Sequence, residues 1–472
     1  MECVLQMKKS VKPHFVVVPF PSQGHINPLM EFGKRLASKN LLVTIVITEI
    51  SKKRMAEAQD AVRTSTPLGI RFETIPVGNL DTDDMLDQLR KVGGPSFEQL
   101  IQRLNDEGKP VSCIVLDSYG LEWVVDIAKK FSIPSAIFWS QSCAVYSIYY
   151  HYVKGLIKVE AGREAIEISG LPQLRIEEVP SFLHPSDSYA AVLRNVLRQL
   201  NIMSQTTWVL GNSFCQLEGR EIKSIESVIP IRTVGPLVPS GFLEGKTPGE
   251  VEMIPHMWKA ANCVEWLNTK GPSTVVYVSF GSVAVVSKEQ IEEIAIGLKA
   301  CGHPFLWVIR PVSNKGNNND IPDGFVEETS DKGLVVPWSP QMQVLSHPAV
   351  GVFLTHCGWN STLEGMSSGV PMLAAPQWTD QTTNAKYVEE EWKTGIRLKK
   401  REDGLIGREE VENSIRIVME SEVGLQLRNN ALRWKTLARE AMAKGGSSDK
   451  NIDYFIEDVI GRASSMPHAV AD

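Results

Sequence analysis

Short apolar runs alternate with helical patterns in two blocks of this sequence, and that alternation constrains the fold more than any other feature. In the first block the runs cover residues 14–20, 42–47, 111–116 and 135–139. The second block begins near Cys263, and its first apolar run covers residues 274–280. Short buried strands that are each followed by a helix form parallel sheets. The sequence therefore predicts an α/β protein with two doubly wound, Rossmann-like domains.

A segment rich in Pro, Gly and charged residues separates the two blocks, and such composition is typical of a linker. The chain has 472 residues, too many for one ordinary hydrophobic core. We expect a first domain over residues 1–240, a linker over 241–262 and a second domain over 263–450. Residues 451–472 should form a C-terminal helix and tail. That helix has an apolar stripe that predicts packing on one of the two domains, formed by Ile452, Phe455, Ile456 and Val459.

Composition excludes several classes of function. The formal net charge is −6, and no basic stripe or block of like charge occurs, which argues against nucleic acid as a partner. No run of about 18 apolar residues occurs, so we expect no membrane span. We expect a monomer that binds only small molecules.

The seven cysteines are scattered and odd in number, without the spacing of a metal site. This pattern predicts reduced thiols, no metal and a cytoplasmic location. Residues 1–11 carry Lys8 and Lys9 but no apolar stretch of signal-peptide length, so we expect no secretory signal.

A strand, a turn and a helix are predicted close together in the second block. The apolar run 350–354 precedes the turn HCGWNS at 356–361, and the helical pattern that follows stops at Gly369. Free N–H groups at the start of such a helix favour a phosphate. Gly358 would let the backbone approach it closely, and His356 would be a nearby donor. The turn is therefore a candidate diphosphate site.

An alternative without any ligand is equally open from these residues alone. Ser361 could cap the helix, and Glu364, three residues later, could complete a capping box. Other side chains favour the ligand, since Trp338, Asp380 and Gln381 each follow an apolar run. Ligands of open α/β sheets bind at the carboxyl ends of strands, so these side chains should converge on one crevice.

Residues 338–381 resemble the signature box of plant family 1 UDP-dependent glycosyltransferases, matching W-x-P-Q, H-C-G-W-N-S, E-G, G-V-P and the closing D-Q. The resemblance implies the GT-B architecture, in which two Rossmann-like domains face each other across a cleft and the acceptor domain comes first. It also implies donor contacts from Trp338 to uracil, from Gln341 and Glu364 to ribose, from His356, Asn360 and Ser361 to the diphosphate, and from Trp359, Asp380 and Gln381 to the sugar.

His25 is the candidate catalytic base. It follows the first apolar run, and Asn27 and Pro28 predict the N-cap and first residue of the next helix, which would place His25 in a strand-to-helix turn. A histidine base works best when a carboxylate accepts from its other ring nitrogen. Asp117, after the third run, could be that carboxylate or could form an Asx turn or helix cap. The family resemblance assigns both residues to the catalytic pair.

Further matches complete the implied donor site. Ser282 matches the phosphate-facing loop of the family, Ser140 matches a hydroxyl that bonds the sugar, and the closing Gln381 resembles glucose users. The PQWTDQ ending and the VGPLVPS segment resemble the branch that forms glucose esters and O-glucosides.

The implied function is inverting transfer of glucose from UDP-glucose, without another cofactor. The acceptor would be a hydroxyl or carboxyl of a small lipophilic molecule, such as a phenol, aromatic acid, terpenoid or steroid. The alternatives are a nucleotide-sugar binding protein without turnover and a hydrolase or epimerase of the same fold. The presence of both His25 and Asp117 favours the transferase over a binding protein without turnover. The complete signature box favours it over a hydrolase or epimerase.

Overall fold

A computed structural model describes residues 12–58, 70–78, 85–160, 165–184, 190–228, 230–246, 251, 257–259, 261–284, 286–310 and 321–465. Residues 1–11, much of the predicted linker and the tail 466–472 lie outside these ranges.

Seven parallel strands form the first sheet, in the spatial order β3-β2-β1-β4-β5-β6-β7. They are β1 (His14–Val18), β2 (Leu42–Thr48), β3 (Ile70–Ile75), β4 (Cys113–Asp117), β5 (Ser135–Trp139), β6 (Trp208–Gly211) and β7 (Ile231–Thr233). The first strand is fully buried, as its run of apolar residues requires.

Six parallel strands form the second sheet, in the order β10-β9-β8-β11-β12-β13. They are β8 (Val275–Ser279), β9 (Phe305–Val308), β10 (Gly333–Val336), β11 (Val350–Thr355), β12 (Met372–Ala374) and β13 (Gly395–Arg397). The strand order reverses between β1 and β4 in one sheet and between β8 and β11 in the other. Both sheets are therefore doubly wound, as predicted, and each has a crevice at its reversal point.

Helices connect the strands and cover both sheets. They are α1 (Gln23–Ser38), α2 (Glu49–Ala58), α3 (Met85–Gln88), α4 (Gly94–Asp106), α5 (Glu122–Lys130), α6 (Cys143–Val153), α7 (Ala190–Met203), α8 (Cys215–Ile225), α9 (Ser240–Leu243), α10 (Cys263–Asn268), α11 (Lys288–Cys301), α12 (Phe325–Glu328), α13 (Gln341–Leu345), α14 (Trp359–Ser368), α15 (Gln381–Lys386), α16 (Arg408–Glu420), α17 (Glu422–Met442) and α18 (Ser447–Ser465). Short 3-10 turns cover Ile176–Glu178 and Ser181–Leu183, and π-helical turns cover Leu89–Gly93 and Tyr387–Glu391. Within the described ranges, no helix is long and apolar enough to cross a membrane.

The last helix packs against the first sheet. The Phe455 ring of α18 lies 5.8 Å from that of Phe15 in β1 and 5.2 Å from that of Trp208 in β6, measured between centroids. The indole N–H of Trp208 also donates to Asp458 at 2.7 Å. The apolar stripe on α18 therefore packs on an apolar surface of the first sheet, to which Phe15 and Trp208 contribute their rings. The helix begins at Ser447, four residues before the predicted position.

The start of α1 differs from the prediction. Its first residue is Gln23 and its N-cap is Ser22, so His25 lies inside the first turn and Pro28 lies within the helix. A proline there has no N–H for the carbonyl four residues earlier, which belongs to Gly24. The side-chain amide of Asn360 donates to that carbonyl from α14. This contact explains how the helix accommodates the proline, and neighbouring sequence gives no sign of it.

Candidate active site

A cavity of about 490 Å³ lies where the reversal points of the two sheets meet. Its walls come from the residues that follow β1, β4 and β5 on one side, and β8, β10, β11 and β12 on the other. All the predicted site residues line it except Asp117, which lies behind His25. The lining members of the predicted set are His25, Ser140, Ser282, Trp338, Gln341, His356, Gly358, Trp359, Asn360, Ser361, Glu364, Asp380 and Gln381.

His25 and Asp117 form a hydrogen-bonded pair at the wall of this cavity. The distance from His25 Nδ1 to Asp117 Oδ2 is 2.8 Å, and the Asp117 side chain is fully buried. Asp117 Oδ1 accepts from the backbone N–H of Tyr119 at 2.9 Å. The carboxylate thus forms an Asx turn with one oxygen and contacts the histidine with the other. Both interpretations of Asp117 that the sequence left open are present in the structure.

The pairing sets the chemistry of the imidazole. Burial disfavours the charged ring, but the Asp117 carboxylate outweighs burial and raises the pKa of His25 above its ordinary value. With Nδ1–H donated to Asp117, Nε2 is the nitrogen available to accept a proton from a molecule in the cavity. Ser140 Oγ lies 3.4 Å from Nδ1, on the same side as the carboxylate. The geometry therefore fits a general base.

The turn between β11 and α14 is built around His356. Cys357 has a φ of +61° there, and Gly358 is the N-cap of α14. A Cβ at Gly358 would lie 2.5 Å from His356 Nε2, and a Cβ at Gly281 would lie 2.7 Å from the same ring. Both glycines are therefore required by the position of the imidazole. Burial lowers the pKa of His356 to about 4, so near neutral pH the uncharged ring would donate a single N–H.

The start of α14 opens towards the cavity, and no lysine or arginine is found among the described residues that line it. An anion bound there would be held by backbone N–H groups, the helix dipole and hydroxyls, with Ser282 on the loop after β8. Asn360 also lines this end, although its amide nitrogen is already bonded to Gly24.

Ser361 and Glu364 do not cap α14, so the capping-box alternative is wrong. Instead Gln341 Nε2 donates to Ser361 Oγ at 2.9 Å and to Glu364 Oε2 at 2.5 Å. Gln341 Oε1 accepts from the hydroxyl of Tyr277 at 3.0 Å. Burial raises the pKa of Glu364 to about 7, against the opposing effect of Gln341. These groups form a hydrogen-bonded polar cluster in the wall of the cavity that Trp338 also lines.

Residues 377–381, here called the sugar loop, follow β12. The side-chain oxygen of Gln381 accepts from the backbone N–H of Gln377 at 2.9 Å and of Trp378 at 3.2 Å, which closes the loop on itself. Asp380 accepts from Asn384 Nδ2 at 2.7 Å, and burial raises its pKa to about 6. Both predicted sugar ligands therefore have fixed side chains at the cavity.

The Trp359 indole has a different position from the one expected. Its Nε1 donates to the backbone oxygen of Asn212 at 2.7 Å, and its ring lies 6.0 Å from that of Trp392 in a buried cluster. A buried indole N–H requires an acceptor, and this one is supplied by the first block of the chain. Trp359 can still contact a sugar through its backbone, while its side chain links the two blocks.

Three further residues were missed from the sequence: Tyr277 and Thr379 line the cavity, and Ser181 bonds to Thr379. Tyr277 had a signal, since a hydroxyl inside an apolar run must find a partner when buried. Ser181 and Thr379 are 198 residues apart and bonded to each other, and nothing in their local sequences indicates it. In the described part of the chain, no cluster of three or more His, Cys, Asp or Glu side chains could hold a metal ion.

Comparison with known proteins places this geometry in context. Residues 239–443 match the sequence model of the family described as UDP-glucoronosyl and UDP-glucosyl transferase. UDP-glycosyltransferase 74E1 of Arabidopsis thaliana is 41% identical over 449 residues, covering 94% of this chain and 98% of that protein. Gallate 1-beta-glucosyltransferase 84A23 of Punica granatum is 41% identical over 467 residues, covering 95% of this chain and 91% of that protein. The crystal structure of Os79 from O. sativa in complex with UDP superposes with a TM-score of 0.84 at 33% identity, covering 94% of this chain and 100% of that chain.

Proposed function

This chain belongs to the UDP-glucoronosyl and UDP-glucosyl transferase family, and we propose that it transfers glucose from UDP-glucose to a small lipophilic acceptor. The predicted membership of this family and the predicted GT-B fold are confirmed. The observation that carries the proposal is the pairing of His25 with Asp117 opposite the N-terminal end of α14, across one cavity.

We propose that residues 263–450 bind the donor and that residues 1–240 bind the acceptor. Uracil would stack on Trp338, and ribose would bond to Gln341 and Glu364. The diphosphate would lie against His356, Gly358, Asn360, Ser361 and Ser282. The sugar would contact Asp380, Gln381, Ser140 and the backbone of Trp359. Support comes from the cavity itself, because all of these residues line it.

The reaction that fits this arrangement is one direct displacement. The acceptor oxygen forms a bond to the anomeric carbon while the bond from that carbon to the phosphate oxygen breaks. His25 Nε2 takes the acceptor proton, and Asp117 stabilises the imidazolium. UDP leaves with the bonding electron pair towards the start of α14, where N–H groups stabilise its charge. A single displacement inverts the centre, so α-linked UDP-glucose gives a β-glucoside.

On the side of the first sheet, the cavity lining includes the apolar side chains of Phe20, Met85, Tyr119, Phe182 and Val192. This lining supports phenols, terpenoids and steroids as acceptors. The described part of the lining offers a carboxylate acceptor no lysine or arginine, so its cationic partner there would be a protonated histidine. The name of the Punica relative nevertheless makes a glucose ester the second candidate product.

We also propose a cytoplasmic monomer that needs no cofactor apart from its donor. The cytoplasmic location is supported by the cysteines of the described ranges, which are all free thiols: Cys113, Cys143, Cys215, Cys263, Cys301 and Cys357.

The test is a competition between UDP-glucose, UDP-galactose and UDP-glucuronic acid at equal concentration. Acceptors would be a phenol, an aromatic acid, a triterpenoid and a steroid, with products identified by mass spectrometry. We expect glucose to be transferred fastest. Preference for glucuronic acid would contradict the donor assignment. The His25→Ala variant is the matched control, since it should bind donor but lose transfer to the phenol.

A further inference from the structure

The sugar loop is held by a segment that lies far away in the sequence. Ser181 N donates to the backbone oxygen of Thr379 at 3.0 Å, and Thr379 N donates to Ser181 Oγ at 2.7 Å. Thr382 Oγ1 donates to the oxygen of Val179 at 2.8 Å, and Thr383 Oγ1 donates to that of Glu178 at 2.7 Å. The segment between α6 and α7 therefore docks on the loop that carries the predicted sugar ligands.

Thr379 has an unusual backbone conformation. Its φ is +57°, in the left-handed region that β-branched residues strongly avoid because of steric contact with Cβ. Within the loop, Gln381 bonds the backbone N–H groups of Gln377 and Trp378, the two residues before Thr379, and not that of Thr379 itself. Ser181 bonds both backbone polar groups of Thr379, and Thr382 Oγ1 adds a longer contact of 3.5 Å to the Thr379 carbonyl.

The supporting segment is itself firmly anchored. Glu178 is fully buried and forms ion pairs with Arg175, Lys386 of α15 and Arg397 of β13 at 2.7, 3.1 and 2.9 Å. The Phe182 ring packs edge-on against Trp378 of the sugar loop, with centroids 5.6 Å apart. Ser181 lies between these two contacts, so its position relative to the loop is fixed from both sides.

We propose that Ser181 is a positioning residue for the donor sugar: it holds Thr379 in its left-handed conformation and thereby orients Asp380 and Gln381 towards the sugar. This inference rests on the proposed function, because it takes the loop to bind the sugar. If Ser181 has this role, the segment between α6 and α7 contributes to recognition of the donor sugar, although its next residue, Phe182, lines the cavity on the side of the first sheet. UDP lacks the sugar, so its binding should not depend on Ser181.

The test compares the dissociation constants of UDP and UDP-glucose by calorimetry for the whole protein and its variants. Ser181→Ala removes one hydrogen bond and should weaken UDP-glucose binding about three- to tenfold while leaving UDP binding unchanged. Thr379→Gly removes the steric reason for needing Ser181, because glycine adopts this φ freely. In the Thr379→Gly background, Ser181→Ala should therefore change UDP-glucose binding less than about twofold.

Two controls make the outcome decisive. Thr383→Val removes a neighbouring bond of the same interface, the one to the backbone oxygen of Glu178, and it should leave the ratio of the two constants unchanged. Gln381→Asn tests the sugar loop directly and should weaken UDP-glucose more than UDP. If Gln381→Asn leaves the ratio unchanged, the sugar assignment of the proposed function fails.

If Gln381→Asn shifts the ratio and Ser181→Ala does not, only the positioning role of Ser181 fails. That role also fails if Ser181→Ala weakens both ligands equally, if its effect is the same in the Thr379→Gly background, or if Thr383→Val shifts the ratio as much.

Discussion

Replacing Asp117 by asparagine should inactivate the base although the two side chains have nearly the same shape. In the native protein one carboxylate oxygen accepts from Tyr119 N–H and the other accepts from His25 Nδ1–H. An asparagine has only one oxygen, and Tyr119 N–H requires an acceptor. The amide oxygen should therefore face Tyr119, and the NH₂ group should face His25. An NH₂ donor opposite Nδ1 forces the proton onto Nε2, which can then no longer accept one from the substrate.

The magnitude follows from the alternative orientation of the amide. Turning the amide over would restore the Nδ1–H tautomer but would place NH₂ against Tyr119 N–H. Leaving a buried donor unsatisfied costs about 1–3 kcal/mol, so the active orientation would be roughly 5- to 150-fold depleted. Loss of the negative charge that stabilises the imidazolium adds to this depletion. The combined loss in kcat/KM for a phenol should be on the order of 10² to 10⁴, comparable with that of His25→Ala.

The assay is kcat/KM for one phenol at saturating UDP-glucose, for Asp117→Asn, Asp117→Ala and His25→Ala. Asp117→Ala leaves His25 without a partner but free to take either tautomer, so it should retain more activity than Asp117→Asn. Circular dichroism and UDP binding serve as controls for the fold. A variant Asp117→Asn that keeps more than about a tenth of the parent activity would refute the reasoning, because the tautomer argument predicts at least a hundredfold loss.

Three further predictions follow from the same geometry. Asp117 raises the pKa of His25 above its ordinary value of 6.5, and only the deprotonated imidazole can act as a base. The acid limb of kcat/KM for a phenol should therefore lie above pH 6.5, and Asp117→Ala should move that limb to lower pH. A limb that does not move would belong to another group. Trp338→Ala should raise the donor KM by about fivefold or more through lost stacking and leave the acceptor KM nearly unchanged, and the reverse pattern would exclude the uracil assignment. Arg175 and its neighbouring cations depress the pKa of Glu178 from 4.5 to about 2 despite its burial, so Glu178 contributes about 3 kcal/mol of stability that is present above pH 4.5 and lost as pH falls towards 2. Glu178→Gln should lower the free energy of unfolding at pH 7 by that amount, measured with urea, and the free energy should then fall less as the pH decreases. An unchanged urea midpoint at pH 7 would show that the ion pairs do not stabilise the fold.

The strands at the centre of each sheet could be predicted from sequence because they are buried on both faces. Residues 135–139 were predicted as the strand that β5 forms, and residues 14–20 and 350–354 overlap β1 and β11. The edge strands β3 and β13 gave no comparable signal. β3, at one edge, is only partly buried along its length, and β13, at another, has three residues. Neither strand contains a continuous apolar run of the kind that predicts a buried strand.

Site residues that follow a strand directly were predictable for the same reason: chain order alone brings the ends of parallel strands together. The details that depend on distant partners were not. The start of α1 was misplaced because Pro28 is normally a helix-start residue, and the side chain that permits it inside the helix, Asn360, is 332 residues later in the chain. The direction of the Trp359 indole depends likewise on the Asn212 carbonyl.

The most direct test of the central claim is to follow one reaction of UDP-glucose with a phenol by proton NMR, with a parallel sample that lacks the acceptor. A single displacement driven by His25 predicts a β-glucoside and one equivalent of UDP, formed only when the phenol is present. An α-glucoside would contradict the direct displacement. Release of free glucose at the same rate without the phenol would identify a hydrolase, and conversion of UDP-glucose to another UDP-sugar would identify an epimerase.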